Sequence, residues 1–368
     1  MRKKIAFAGP SITEKEVQYV EDAIRNGWYE TFDKDIVALE RELCEVTGAQ
    51  YAITTPSCTM AMHMAAMALG LGAGDEVIVT DFSWVATGAS VAYTGATCVF
   101  VDIDPDTWCI DPKAIEAAIT PKTKAIMIVH IFGQPAQMDE IMAIADRHGL
   151  AVIEDAAPAL GSSFQGRPCG TIGAAGCFSF QGAKLVVAGE GGAFVTNDKD
   201  LHDKARVIRR MGRTDSHGAF WCDILGYKYI MSNMQAAMIR AQLSRLDELV
   251  AIKRQITAWY EKRLAGRPEL KMIKPSKGGE SNCCYPNIIL DEKVKIGRDV
   301  LLKVLEEQNI HGRAAFPRMS LMPMFEARFP NPVAAAAASR GMSLPSASNL
   351  TEEDIDFVCE TLINAVKF

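Results

Sequence analysis

The sequence has no run of about 18 apolar residues, so nothing in it reads as a membrane-spanning helix. Its first residues, MRKKIAFAGPSITEKE, carry a basic tip but too short an apolar run for a secretory leader, and a cytoplasmic protein is expected. Ten cysteines are present, yet no two form a C-x-x-C pair, and only Cys283 and Cys284 adjoin. That removes the usual signals of a zinc site or a thioredoxin-like motif, and reduced thiols fit better than a disulfide framework. Positive charge is not in excess: 39 Lys and Arg against 45 Asp and Glu leave a net charge of −6. Broad nucleic-acid binding needs a basic face, and an anionic membrane would attract one; neither partner is expected. No G-x-G-x-x-G follows an early strand, so a dinucleotide-binding reading lacks its fingerprint. No internal repeat is visible. What is there is ordinary for a globular protein: 368 residues, 49% hydrophobic and 23% charged, enough for one large core and a smaller second one.

The middle of the chain alternates between two periodicities. Short apolar, β-rich runs lie at 51–55, 76–80, 97–102, 124–130, 150–155, 176–180 and 192–197. Most are apolar throughout rather than alternating, as in strands buried on both faces. Helical patterns lie between them at 59–70, 83–94, 112–119 and 136–148. This succession predicts an α/β fold with a mainly parallel sheet covered by helices. SITEKEVQYVEDAIRNG reads as a helix opened by a Ser/Thr cap and closed at Gly27. A long helix is expected over 231–265, then a strand at CCYPNIIL, a helix at GRDVLLKVLEEQN and another after Leu350. The polar, glycine-rich stretch 274–282 reads as a loop, and the alanine run 334–338 as helical. The expected division is a large domain, 1–245, and a small C-terminal α+β domain, 246–368.

Parallel sheets present ligands at the carboxyl ends of their strands. Three features fall there. TTPSCTMAMHM places Ser57, Cys58 and Thr59 where a strand gives way to a helix, and free N–H groups with hydroxyls beside them suit an anion. Taken alone, a plain Ser cap on a core helix explains this better. Asp155, in AVIEDAAPALG, follows an apolar strand directly and must find a cation or several donors; a structural pair or a cap is an equal reading. Lys184, in CFSFQGAKLVVAGEGGAFVTND, is the one cation among small and apolar residues. Burial makes a lysine more often neutral and able to condense with an aldehyde, although a snorkelling lysine explains it as well in isolation. Together the three make a pattern that none makes alone. An anion cradle, a carboxylate for a ring nitrogen and a reactive lysine are what pyridoxal phosphate requires. Trp84, in TDFSWVATGAS, offers a flat face for the ring, or is a core tryptophan.

At this point the chain resembles the DegT/DnrJ/EryC1/StrS aminotransferases, from GWYETFDKDIVALERELCEVTGAQYAI to GMSLPSASNLTEEDI. The most specific pieces are GDEVIV, VHIFGQPAQMDEI, HGLAVIEDAAPALGSSFQGRPCGTIG and FSFQGAKLVVAGEGGAFVTND. The resemblance implies the aspartate aminotransferase-like architecture of pyridoxal-phosphate fold type I, with a seven-stranded, mainly parallel sheet. It implies transfer of an amino group from L-glutamate to a nucleotide-linked keto sugar, in deoxyaminosugar or glycoconjugate biosynthesis, with the cofactor cycling between its aldehyde (PLP) and amine (PMP) forms. Within the family the chain looks most like the branch that aminates C4 of a GDP-linked 4-keto-6-deoxymannose. By the same resemblance Lys184 stands where the cofactor is attached and Asp155 at the ring nitrogen. Thr59 and Ser179 match phosphate-binding hydroxyls, Cys58 falls within the phosphate cradle, and Trp84 covers the ring. Arg313 matches a recurrent arginine at a substrate position, and Trp28, in the loop Gly27-Trp28-Tyr29, is expected among the residues that read base and sugar. A homodimer with shared active sites is implied, in which Lys228 of a neighbouring copy reaches the phosphate. No metal is expected.

Several positions depart from the family's pattern. Cys58 replaces a glycine, Pro158 stands for a polar residue near the ring oxygen, and Ser320 for a common histidine. In YKYIM, Lys228 replaces asparagine and Ile230 replaces arginine. The alternatives are a dTDP- or UDP-linked keto sugar, a cyclitol, or a non-catalytic regulator that keeps the fold. Lys184 speaks against the dehydratase branch, where histidine replaces this lysine.

Overall fold

The computed structural model describes residues 3–214, 216–218 and 220–366. All seven apolar runs become strands: β1 (Tyr51–Thr55), β2 (Glu76–Thr80), β3 (Thr97–Val101), β4 (Thr123–Val129) and β5 (Ala151–Asp155), then, after the short β6 (Ser163–Phe164) and β7 (Arg167–Pro168), β8 (Ala175–Ser179) and β9 (Gly192–Thr196). The seven long strands form one sheet in the order β1-β9-β8-β5-β4-β2-β3. The pairs from β8 across to β3 are parallel. Only β9 runs against its two neighbours, β1 and β8. That reversal matters for the site, because it brings the beginning of β9 to the edge where β1 and β8 end. In register, Thr55 and Ser179 both face Gly192.

The sheet is buried on both faces, as its continuous apolar strands require. Ile78 packs into one core cluster, while Val77 and Val79 pack into another on the opposite face. The helices in chain order are α1 (Glu14–Asn26), α2 (Lys34–Thr47), α3 (Cys58–Ala68), α4 (Ala86–Ala92), α5 (Pro112–Ala118), α6 (Met138–His148), α7 (Lys199–Arg209), α8 (Asn233–Leu243), α9 (Leu246–Leu264), α10 (Arg298–Glu307), α11 (Pro332–Arg340) and α12 (Glu352–Ala365). α1 opens as expected, with a capping box between Thr13 and Glu16, and closes at Gly27. A third core, which includes Tyr260, Leu301, Met342, Ile355 and Leu362, lies under a four-stranded sheet. Its strands are β10 (Leu270–Met272), β12 (Asn287–Leu290), β13 (Arg313–Ala314) and β14 (Gly341–Ser343), and the short β11 (Gly279–Glu280) joins β6 and β7 instead.

Three expectations need correction. The helix over 231–265 is two helices, α8 and α9, separated at Ser244 and Arg245. Arg245 leaves helical geometry (φ −116°, ψ 15°), and its guanidinium is claimed by the buried Glu16 and by Glu248, both at 2.7 Å. The strand at CCYPNIIL starts only at Asn287, because Cys283 is left-handed (φ 56°) and Pro286 lacks an N–H to pair. The loop at 274–282 is not wholly irregular, since β11 falls inside it. We propose that the chain divides between α8 and α9; Ile5, early in the chain, packs in the third core. Among the described residues no helix is long and apolar enough to cross a membrane.

Candidate active site

Asp155 ends β5, buried to 4% exposure, beside Cys177 of β8. Its carboxylate accepts from the Thr87 hydroxyl at 2.7 Å and from Ala157 N–H at 3.1 Å. No cation lies within ion-pair distance among the described residues. Burial pushes the carboxyl up, against the pull of Thr87, Ala157 and the positive charge of Lys184. The neighbouring Glu154 faces the other side of the sheet, where it is fully satisfied. It accepts from Gly170 N at 2.7 Å, from Ile172 N and Gly173 N at 2.6 Å, and pairs with His130 Nε2 at 2.8 Å. Ala136 N–H donates to His130 Nδ1 at 3.1 Å, so the ring proton sits on Nε2. This network stitches VHIFGQPAQMDEI to HGLAVIEDAAPALGSSFQGRPCGTIG and leaves Asp155, not Glu154, facing the ligand side.

Lys184 lies half-buried in the turn between β8 and β9. The turn is closed by Gly182 N to Gly189 O at 3.0 Å and Ala188 N to Phe180 O at 2.8 Å. The Tyr285 hydroxyl braces it from outside by donating to Ala183 O. Lys184 is near enough for its charge to act on Asp155 and on the buried Cys58. The structure therefore brings the lysine, the acid and the start of α3 to one edge of the sheet.

At that start, Ser57 caps α3 by accepting from Met60 N–H at 3.3 Å. The N–H groups of Cys58 and Thr59 precede the first intrahelical bond and remain free for an anion. A β-carbon on Gly192 would collide with the Ser57–Cys58 backbone, so the missing side chain is what lets β9 lie under the cradle. Ser179, on the far side of Gly192, accepts from Gln181 N–H at 3.3 Å and keeps its own proton to donate. The Cys58 side chain points into the core, 6% exposed, so it does not narrow the cradle as a residue in place of glycine is expected to. Burial lifts the thiols of Cys58 and Cys177 well above their ordinary range, which leaves neither as a nucleophile.

Trp84 is 62% exposed and is not a core residue. Its loop also carries Ser83, whose hydroxyl meets that of Thr87 at 3.2 Å. Arg313 lies over the ring of Phe7 at 4.4 Å, Phe7 stacks on Tyr285 at 5.2 Å, and Tyr285 reaches the Lys184 turn. Trp28 and Lys228 are not brought to the group within one chain. Trp28 is tied to Ile24 O at 2.7 Å, and Lys228 is exposed and bridged to Arg210. Pro158 is buried and offers its carbonyl to Asn282. Ser320 is also buried, and its hydroxyl donates to Asp81 at 2.8 Å. Thr87, Gly192 and Tyr285 were missed from the sequence: a threonine in VATGAS and a glycine at a strand start carry no pattern, and Tyr285 lies a hundred residues from the turn it braces.

A buried carboxylate without a cation, a lysine beside it and a cradle of free N–H groups and hydroxyls fit pyridoxal phosphate. The acid would meet the ring nitrogen, the amine the aldehyde, and the cradle the phosphate. Comparison with known proteins agrees. The model of the DegT/DnrJ/EryC1/StrS aminotransferase family matches residues 10–363. The chain is 39% identical to the GDP-perosamine synthase of Caulobacter vibrioides over 98% of this chain and 97% of that one. It is 37% identical to the GDP-perosamine synthase of Escherichia coli O157:H7, over 98% of each. Among solved structures, DesI in the presence of its TDP-sugar product superposes with a TM-score of 0.92 at 31% identity, covering 100% of this chain and 94% of that one.

Proposed function

The chain belongs to the DegT/DnrJ/EryC1/StrS aminotransferase family, whose PLP-dependent amino transfer to keto-sugar nucleotides it shares, and from that premise we propose that its acceptor is a GDP-linked 4-keto-6-deoxyhexose aminated at C4 and its donor L-glutamate. Support for this acceptor is the likeness to two GDP-perosamine synthases along nearly the whole chain. The observation that carries the chemistry is Asp155, buried within reach of the Lys184 charge and with no cation at ion-pair distance among the described residues.

When bound, pyridoxal phosphate supplies an electron sink for the pair left behind as the donor's α-C–H bond breaks. Asp155 holds positive charge at the ring nitrogen, and in a site closed to water such a fixed charge is worth several kcal/mol. Thr87 and Ala157 hold Asp155 in place for that task. Lys184 Nζ would hold the aldehyde and, when not so engaged, would serve as the base and then the acid that moves a proton from the donor's α-carbon and returns one to the acceptor. The N–H groups at Cys58 and Thr59 and the hydroxyls of Thr59 and Ser179 would hold the phosphate, and Trp84 would cover the ring. Lys228 adds a point charge to the phosphate of a second copy in a homodimer, and Trp28 and Arg313 meet the substrate. A cytoplasmic location is part of the same proposal.

The test is turnover with L-glutamate against GDP-, dTDP- and UDP-linked 4-keto-6-deoxy sugars. Preference for the GDP sugar, with the amine at C4, is the expected result. The likeness to DesI favours a TDP-linked acceptor as the second reading, and preference for that substrate would replace the first.

A further inference from the structure

Among the alanines and methionines of α3 stands one aromatic ring, His63, buried to 3% exposure. Its Nδ1 meets the Tyr229 hydroxyl at 3.0 Å, while Nε2 is buried without a partner. Burial pushes the imidazole below its ordinary range, so the ring is neutral at pH 7. A buried ring nitrogen left unpaired costs stability, and a phenylalanine of similar shape would avoid that cost. What a phenylalanine could not do is hold Tyr229.

Tyr229 belongs to a short extended stretch that also holds Tyr227 and, between them, Lys228. The two tyrosine rings stack on each other at 5.0 Å and 21°. Both meet the His63 ring edge-on, at 5.0 and 6.0 Å, and Tyr93 closes a third side at 5.8 Å. Extended backbone alternates its side chains, so residues 227 and 229 share one face and Lys228 takes the other. The burial agrees: both tyrosines are half-buried and Lys228 is exposed.

Backbone bonds tie this stretch to the end of α7. Tyr227 N donates to Ile208 O at 2.7 Å and Tyr229 N to Arg209 O at 3.1 Å, and Met211 N donates to Tyr227 O at 3.1 Å. The pairing amounts to one bridge, Arg210 with Lys228. A ribbon that short does not set which way its side chains face. The tyrosine pair seated on His63 does. A lysine is a point charge on a flexible four-carbon stem, and it reaches a distant anion dependably only if the base of that stem is aimed. We propose that His63 is a positioning residue for cofactor binding: through Tyr229 it fixes the direction in which Lys228 leaves the chain, and so the charge delivered to the phosphate in a second copy. The inference rests on the role proposed for Lys228 at that phosphate. It would make α3 serve two sites, its own cradle through Cys58 and Thr59 and another through His63.

The probes are pyridoxamine phosphate, which has no aldehyde to condense with Lys184, and pyridoxamine, which lacks the phosphate. Their affinities are measured by equilibrium dialysis against the full-length cofactor-free protein, for wild type, His63→Phe, Tyr229→Phe, Lys228→Ala and the pair His63→Phe/Lys228→Ala. His63→Phe keeps a ring among the tyrosines, and Tyr229→Phe removes the same bond without touching α3. Each should weaken pyridoxamine phosphate about three- to tenfold, the net worth of one hydrogen bond, and leave pyridoxamine unchanged. In the Lys228→Ala background the effect of His63→Phe should vanish. An equal loss for pyridoxamine, or a loss undiminished in the pair, would make His63 a packing residue and overturn the proposal. So would weakening by Lys228→Ala with none by His63→Phe or Tyr229→Phe, and in that case the role of Lys228 stands. Unchanged affinity in Lys228→Ala would remove that role and this one with it.

Discussion

A carboxylate held away from water without a cation is a liability until something brings the missing charge. Asp155 is in that position, and the sign of its effect on stability follows. Burial raises its pKa in the folded chain, so its contribution to stability is present below the unfolded value and is lost as pH rises through the folded one. Asp155→Asn should therefore melt a few degrees higher than wild type when both are free of cofactor at pH 7 to 8, with the advantage fading toward about pH 4, where the unfolded carboxyl protonates. Amino transfer should nevertheless collapse, because an amide cannot hold the ring nitrogen positive. Melting curves of the two apoproteins across pH check the first statement; equal melting at pH 8 would mean that Asp155 is not a charge in want of a partner. Lys184→Ala should lose at least about a thousandfold in turnover and the visible absorbance that a lysine-bound cofactor gives. Retention of that absorbance would move the attachment point to another lysine.

The elements matter because they set which residues share an edge. The reversal of β9 is what lets one glycine sit between Thr55 and Ser179 beneath the cradle. Gly192→Val must push the Ser57–Cys58 backbone away, at a cost of roughly 1–3 kcal/mol. Denaturant titration should show that loss, and equilibrium dialysis should show weaker cofactor retention; unchanged retention would place the phosphate elsewhere. Much at this scale was legible beforehand. The seven strands could be read because apolar runs buried on both faces look the same in any surrounding, and Lys184 and Asp155 because charge next to such runs stands out. The division of 231–265 into α8 and α9 was not legible, since it depends on Glu16 claiming Arg245 from more than two hundred residues away. Thr87 was hidden for the same reason: its role exists only because α4 and the end of β5 meet in space.

On the scale of the molecule, exposed apolar side chains remain to be accounted for. Phe220 is 99% exposed and Leu225 85%, with Trp221 and Ile224 more than half exposed between them, and exposed apolar side chains grouped in this way mark a surface for a partner. In the proposed dimer these side chains are expected to be covered and Lys228 to reach a neighbour's cradle, which its own chain does not do. Sedimentation should give twice the chain mass. Lys228→Ala should weaken cofactor affinity about ten- to a hundredfold, the worth of one charged hydrogen bond, without separating the subunits. Unchanged affinity would leave the cradle of one chain sufficient by itself.

The short stretch from Ile5 to Gly9 belongs to a part of the molecule made much later. Ile5 exchanges hydrogen bonds with Asn309 and His311 at 2.9 and 3.0 Å, and Phe7 O accepts from Ser346 N at 2.8 Å. During synthesis these residues emerge some three hundred positions ahead of their partners. The large sheet can close while they wait, but the smaller core cannot, and for that interval the ribosome-bound chain displays an unmated ribbon that chaperones or sister chains can capture.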